Sequence, residues 1–384
     1  MLNFIYWNPV QVVFGHNSIT ELPKLVPDKA KILMTYGTGS IKKNGVYEQV
    51  TQALKGYNLI EFGGIEPNPF YETCLKAVDV CKREKVDFLL AVGGGSVLDA
   101  TKFIAAAVPF QDGEPWNILS GKAQVTQALP LGAVMTIPAT GSEMNCLAVI
   151  SRAETQEKLH FGTPAVYPKF SVIDPAVTFS LPKKQLVNGI VDAFVHVLEQ
   201  YVTYPVITPL QDRQAEAILH TIIESAPSVL ADRMDYNARA NFVWCATQAL
   251  NGHLSCGVVP DFSTHMIGHE LTAFFGLDHA QTLAIVLFGV WQHQIHNKAA
   301  KLAQYAERVW GITSGSDLEK AELAIEKTED FFNAIGMATR LRDYNIGEDG
   351  IDKVVKRFIE RNITLGENKN ITAKEVKEIL SSRL

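Results

Sequence analysis

The sequence predicts an N-terminal α/β domain on a mostly parallel sheet, followed by an all-helical domain. Short β-branched runs in the first half end in glycine and alternate with helix-length segments, the pattern of βαβ units. Two of these runs are almost unbroken in apolar character, as expected of strands covered on both faces. After "SLPKKQL" (180–186) the pattern turns to helical periodicity with short polar breaks and no convincing strand. A chain of 384 residues exceeds one ordinary compact domain. The expected division is 1–182 and 183–384, with Pro182 suited to open the first helix of the second part because it has no N–H to lose.

In chain order, the expected strands are "KILMTYG" (31–37), "NLIEFGG" (58–64), "VDFLLAVGGG" (86–95), "LGAVMTIPA" (131–139), "AVISR" (148–152) and "FSVIDP" (170–175). The first and third lead directly into helical patterns. Later, "NGIVDAFVHVLEQYV" (188–202) reads as a helix, and so does the part of "DFSTHMIGHELTAFFGLDHA" (261–280) that carries His265 and His269, ended by Gly276.

Composition narrows the function classes. Hydrophobic residues make up 47% and charged residues 20%, which suits a globular enzyme. A net charge of −6 argues against a general nucleic-acid binder. The longest apolar runs, such as "TLAIVLFGVW" (282–291), are about half the length that spans a bilayer, so no membrane partner is expected. No basic region precedes an apolar one at the N-terminus, so no signal peptide is expected. Five scattered cysteines with no C-x-x-C pair read as buried thiols in a reducing cytoplasm.

Two glycine turns carry candidate chemistry. "AVGGGSVLDATK" (91–102) runs from a buried strand through three glycines into a helix, where free N–H groups could meet a phosphate. Ser96 and Asp99 also fit an S-x-x-D capping box, which needs no ligand. "YGTGSIKKNG" (36–45) has Gly37 and Gly39 but Lys42 where the G-x-G-x-x-G fingerprint requires a third glycine. The turn has no acid. It offers hydroxyls at Thr38 and Ser40, with Lys42 and Lys43 close by, a set that would accept a 2′-phosphate and hints at NADP rather than NAD. Glu61 lies about where a ribose-binding acid would be, but with the fingerprint broken it reads rather as an exposed strand-end residue.

Asp192 and His196 are spaced i, i+4, so they share a helix face, and so do His265 and His269. His279 follows shortly after. One carboxylate with three imidazoles suits a divalent ion such as Zn²⁺ or Fe²⁺ with a position open for substrate. The spacing alone leaves open which imidazoles bind. A zinc peptidase is excluded, because H-E-x-x-H would need glutamate where Met266 stands and the inverted H-x-x-E-H form also fails.

At this point several long motifs occur in a characteristic order: "FGGIEPNP" (62–69), "AVGGGSVLDATKFIAA" (91–106), "TIPATGSEMN" (136–145), "VIDPAVTFSLP" (172–182), "NGIVDAFVHVLEQYVT" (188–203) and "GHELTAFFGLDHAQTLAIV" (268–286). From about Val12 onward the chain resembles the iron-dependent (type III) alcohol dehydrogenases, most closely their NADPH-dependent aldehyde reductase and butanol dehydrogenase branch. The resemblance implies a dehydroquinate synthase-like architecture, with a dinucleotide-binding α/β domain, a helical metal-binding domain and an active site in the cleft between them. It implies metal ligands Asp192, His196, His265 and His279, with His269 as a non-ligand histidine placed for proton transfer. It implies cofactor contacts at Gly37, Thr38, Ser40, Asn68, Gly94, Gly95, Ser96, Asp99, Thr136, Thr140 and Lys158. The implied enzyme is a metal-dependent, NADP(H)-linked alcohol dehydrogenase or aldehyde reductase acting on small alcohols and aldehydes, with Fe²⁺ or Zn²⁺ and as a homodimer. A glycerol dehydrogenase-like or dehydroquinate synthase-like enzyme, or a non-catalytic nucleotide-binding protein, would share the architecture. The chain departs from the family in the shortened "TIPATGSE", in Thr38 where the branch often has glycine, and in Phe275 where it often has histidine, which points to a more apolar site.

Overall fold

The computed structural model describes residues 1–231 and 234–384. Eight strands form among the described residues: β1 (Gln11–Phe14), β2 (Lys31–Tyr36), β3 (Asn58–Phe62), β4 (Phe88–Gly93), β5 (Leu131–Met135), β6 (Leu147–Arg152), β7 (Glu157–Gly162) and β8 (Phe170–Ile173). Six of them make one sheet in the order β1-β8-β5-β4-β2-β3, with every pairing parallel. The expected α/β part with a parallel sheet is therefore present.

Its apolar runs divide by residue parity. On β4, Leu89 and Ala91 join one core cluster, with Leu98, Phe103 and Ile104 of the helix Gly95–Ala107. Phe88, Leu90 and Val92 join the other, with Val46 and Val50 of the helix Val46–Ala53. Side chains alternate across a strand, so covering both faces requires both parities to be apolar. Gly132 on β5 answers a local need: a Cβ there would stand 2.2 Å from the Phe170 ring of β8.

Three strand readings are corrected. The edge strand β1 and the strand β7 were not anticipated. β6 does form at "AVISR", but it pairs antiparallel with β7 in a separate two-stranded sheet. Both missed strands are only partly buried, so they lack the continuous apolar run that marks a central strand.

The chain groups into two compact units, residues 7–186 with 232–251, and residues 1–6 with 187–231 and 252–384. The sequence carried no sign that 1–6 and 232–251 would change sides. The helix Tyr236–Ala249 joins the α/β unit, where Val243 packs with Met135 and Ile173. Among the described residues beyond Ser180, the helical unit contains no strand, only an isolated bridge between Leu365 and Ile371.

At the centre of the helical unit lies the helix His279–His293, buried continuously from Thr282 to Trp291. The long apolar run is thus a core helix surrounded by others. Among the described residues, no helix is long and apolar enough to cross a membrane.

Candidate active site

Three helices of the helical unit carry the candidate ligands. Asp192 and His196 come from the helix Lys183–Tyr201, His265 and His269 from Ser263–Phe275, and His279 opens His279–His293. The turn between the last two is set locally. Gly276 ends one helix in the left-handed conformation (φ 68°), and Asp278 caps the next in a reciprocal capping box with Gln281. Asn188 Nδ2 also donates to Asp278 Oδ2 over 3.0 Å, tying the start of the His279 helix to the helix that carries Asp192.

Asp192, His196, His265 and His279 each present a ligand atom, all within 4.8 Å of one another. His196 Nδ1 lies 3.5 Å and His279 Nε2 3.7 Å from Asp192 Oδ1. Ligands about 2.1 Å from a tetrahedral ion stand about 3.4 Å apart, so these separations fit a single ion. Burial, with His265 nearby, pushes His196 well below the ordinary histidine value. The ring is therefore neutral, as a metal ligand must be. His196 Nδ1 is buried without a hydrogen-bond partner, which fits a donor meant for an ion. The donor set thus suits a divalent metal. His269 stands outside the group, its ring centroid 5.6 Å from that of His279.

The immediate surroundings hold residues that the sequence reading missed. Glu199, three residues after His196 on the same helix, hydrogen-bonds His265 Nδ1 through Oε2 and accepts from Thr264 N over 2.7 Å through Oε1. Its burial, then Asp261, drive its carboxyl well upward, while hydrogen bonds from Thr264 and the Lys298 charge pull it back. Lys298 is buried 3.1 Å from Asp261 and 2.6 Å from Glu367. Burial favours its neutral form, but the two carboxylates outweigh that and raise its pKa. Position i+7 from Asp192 was the available signal for Glu199, since it puts a third acid or imidazole on one helix face.

Glu270 is buried and faces away from the ligand group, paired with Arg357 at 2.8 Å and Arg361 at 3.2 Å. The Phe275 ring lies against Gly350, whose Cβ would stand 3.0 Å from it, within the core of the helical unit. Packing accounts for this phenyl group.

The nucleotide candidates lie together in the α/β unit. The helix Gly95–Ala107 begins on Gly94 with no side-chain cap. The expected Ser96–Asp99 capping box is therefore corrected: the helix starts before Ser96, so Asp99 is already inside it. Ser96 Oγ instead accepts from Asn68 N over 3.3 Å, and Asn68 Oδ1 accepts from Lys158 Nζ over 2.9 Å. Asp99 accepts from Ser142 Oγ (2.7 Å) and Val149 N (3.0 Å), anchoring the segment after Thr140. Lys102, unnoticed in the sequence, donates to Ser142, Asn145 and the Leu147 carbonyl. Burial lowers its pKa to about 8, against the pull of Asp99.

The close approaches at the turn also have an internal cause. A Cβ on Gly94 would stand 2.8 Å from Ile137, and one on Gly95 2.6 Å from Thr140. Thr136 N donates to Gly93 O over 2.9 Å, which keeps this second segment beside the turn. The first N–H groups of a helix starting at Gly95 have no partner within the helix and suit an anion.

Gly37, Thr38 and Ser40 follow β2, with Gly37 O accepting from Gly64 N over 3.0 Å. Glu61 accepts from Tyr47 (2.6 Å), Tyr36 (3.0 Å) and Lys42 (3.3 Å). Burial acts to raise its pKa, but these hydrogen bonds bring it below the usual carboxylate range.

A four-ligand metal site of this kind, on a helical unit joined to a parallel α/β unit, points to a metal-dependent dehydrogenase. Residues 9–175 match the iron-containing alcohol dehydrogenase family, and residues 186–384 match the C-terminal part of the Fe-containing alcohol dehydrogenase family. The chain belongs to the iron-containing alcohol dehydrogenase family, an oxidoreductase of the alcohol dehydrogenase and aldehyde reductase class.

The NADPH-dependent aldehyde reductase YqhD of Escherichia coli (strain K12) is 52% identical over 375 residues, covering 97% of each chain. The probable NADH-dependent butanol dehydrogenase 1 of Bacillus subtilis (strain 168) is 41% identical and covers 100% of both. The crystal structure of E. coli K-12 YqhD matches with a TM-score of 0.98 at 51% identity, over 100% of this chain and 99% of that one.

Proposed function

We propose that the protein reduces small aldehydes, of the butanal type, with NADPH, using one divalent ion, Fe²⁺ or Zn²⁺, held by Asp192, His196, His265 and His279. The observation that carries this reading is the convergence of one carboxylate and three imidazoles within 4.8 Å, with Asp192, His196 and His265 buried and His279 half-buried. When bound, the metal acts as a Lewis acid toward the substrate oxygen and the nicotinamide cofactor supplies the hydride.

The chain's own residues do the rest. Asp192, His196, His265 and His279 would hold the ion. His269, buried beside His279, can hold a proton and deliver it to the nascent alkoxide. Gly94, Gly95, Ser96, Asn68 and Lys158 bind the cofactor's phosphates and adenosine end, while Asp99, Thr136 and Thr140 keep that turn in shape.

The named relatives differ in cofactor, so the choice must rest on residues of this chain. NADPH is supported by the acid-free turn Gly37, Thr38 and Ser40, and by the engagement of Glu61. With three donors on its carboxylate, Glu61 is not available to clamp a ribose diol, and Lys42 is held close to the turn. A homodimer in a reducing cytoplasm completes the proposal, supported by the edge strand β1 with its exposed Phe14 and by five scattered cysteines with no C-x-x-C pair.

The deciding experiment strips the purified protein with a chelator, reloads it with Zn²⁺ or Fe²⁺, and follows butanal reduction with NADPH and NADH. Metal-dependent NADPH oxidation is expected. A protein that neither contains nor responds to metal would refute the reading, and a preference for NADH would remove its cofactor half.

A further inference from the structure

The ligand helix Ser263–Phe275 has an unusual beginning. Phe262, just before it, takes the left-handed conformation (φ 55°). The first helical N–H groups are then claimed by two acids from outside the helix. Ser263 N donates to Asp261 Oδ1 over 3.2 Å, and Thr264 N donates to Glu199 Oε1 over 2.7 Å. The other oxygen of Glu199 hydrogen-bonds Nδ1 of His265, the very next residue. One buried carboxylate therefore sets both where the helix starts and how the first imidazole on it is turned.

Glu199 is itself held. Asp261 N donates to the Glu199 carbonyl over 2.9 Å. Asp261 faces Lys298 Nζ at 3.1 Å, and Lys298 reaches Glu367 Oε1 at 2.6 Å and the Val202 carbonyl at 2.9 Å. The ammonium lies between Asp261 and Glu367 and offsets charge placed in a dry interior, where an unpaired ion is costly.

We infer that Glu199 is a positioning residue for the metal centre, holding His265 in the tautomer and orientation that leave Nε2 for the ion. This rests on the metal reading above. An imidazole that donates Nδ1–H to a carboxylate has its lone pair on Nε2. Glu199→Gln conflicts with that arrangement. Thr264 N and His265 Nδ1 meet different oxygens of Glu199, and the single amide oxygen can take only one of those two places. If its NH₂ group turns toward Nδ1 instead, the ring must protonate Nε2 and lose its ligand atom.

The test uses the full chain. Zn²⁺ affinity is measured by chelator competition and Co²⁺ geometry by visible absorption, for wild type, E199Q and E199D, alongside apo-protein melting. E329Q serves as the control. Glu329 is bound by Thr339 and by the buried Arg383, so its loss costs stability elsewhere in the same unit. E199Q is expected to weaken Zn²⁺ binding about 10- to 100-fold and to change the Co²⁺ spectrum. E329Q is expected to lower the apo melting temperature and leave both metal readouts in place.

Should E199Q fail to accumulate, E199D, too short to reach both partners, is read the same way. Wild-type affinity and spectrum in the Glu199 variants would overturn the inference while leaving the metal reading intact. A wild-type chain that binds neither ion would instead overturn the reading beneath it.

Discussion

Gly268 and Thr282 bring two ligand-bearing helices together: a Cβ on Gly268 would stand 2.8 Å from Thr282 Oγ1. Gly268 lies between His265 and His269, and Thr282 lies one turn after His279. The absent side chain therefore lets the helices that carry His265 and His279 approach closely. Gly268→Ala is expected to cost about 1–3 kcal/mol by overpacking. It should also lower metal affinity by moving His279 from the group. Urea unfolding of the apo protein and Zn²⁺ titration check the two effects separately, and an unchanged affinity would show that the helix spacing does not govern the ligand set.

The three histidines of the Ser263–His279 segment should separate by phenotype. His265→Ala or His279→Ala is expected to yield protein with little bound metal and little activity. His269→Ala should retain metal by elemental analysis and lose roughly 10²-fold or more in kcat. Loss of metal on replacing His269 would move it into the ligand set.

Lys42→Met removes the one cation among the three donors to Glu61 and leaves that carboxylate's charge unbalanced beside the Gly37–Ser40 turn. The KM for NADPH should rise about 10-fold, the scale of one charge-assisted hydrogen bond, with the KM for NADH little changed. Thr38→Asp should act in the same direction. Equal effects on both cofactors would separate this turn from the 2′-phosphate.

Lys102 makes a pH-dependent contribution to stability. Its folded pKa is about 8, below the ordinary 10.5. Below pH 8 both folded and unfolded chains hold the proton, and the penalty of burying the charge is fully present. Between about pH 8 and 10.5 the unfolded chain holds a proton the folded chain has released, so stability rises with pH through that window. Wild type compared with Lys102→Met should show this as a difference on the order of 1 kcal/mol per pH unit. Urea unfolding from pH 7 to 10 measures it, and a flat difference would mean the ammonium stays charged when buried.

Local pattern by itself determined the two-part architecture of this protein. Parity of apolar residues on β4, glycine after β2 and β4, and helical periodicity beyond Ser180 all act between near neighbours, and such signals survive in a linear sequence. Asp192 with His196, and His265 with His269, were visible for the same reason. Spacing left open which of the imidazoles converge, and tertiary structure decided it: His265 and His279 come to Asp192 around the Gly276 turn and the close contact at Gly268. It also decided that Asp99 anchors a loop instead of capping a helix, that Glu61 is engaged by Tyr36, Tyr47 and Lys42, and that Glu199 stands behind His265. Each of these depends on partners from segments distant along the chain, and the meaning of a buried polar group lies in the partner that satisfies it.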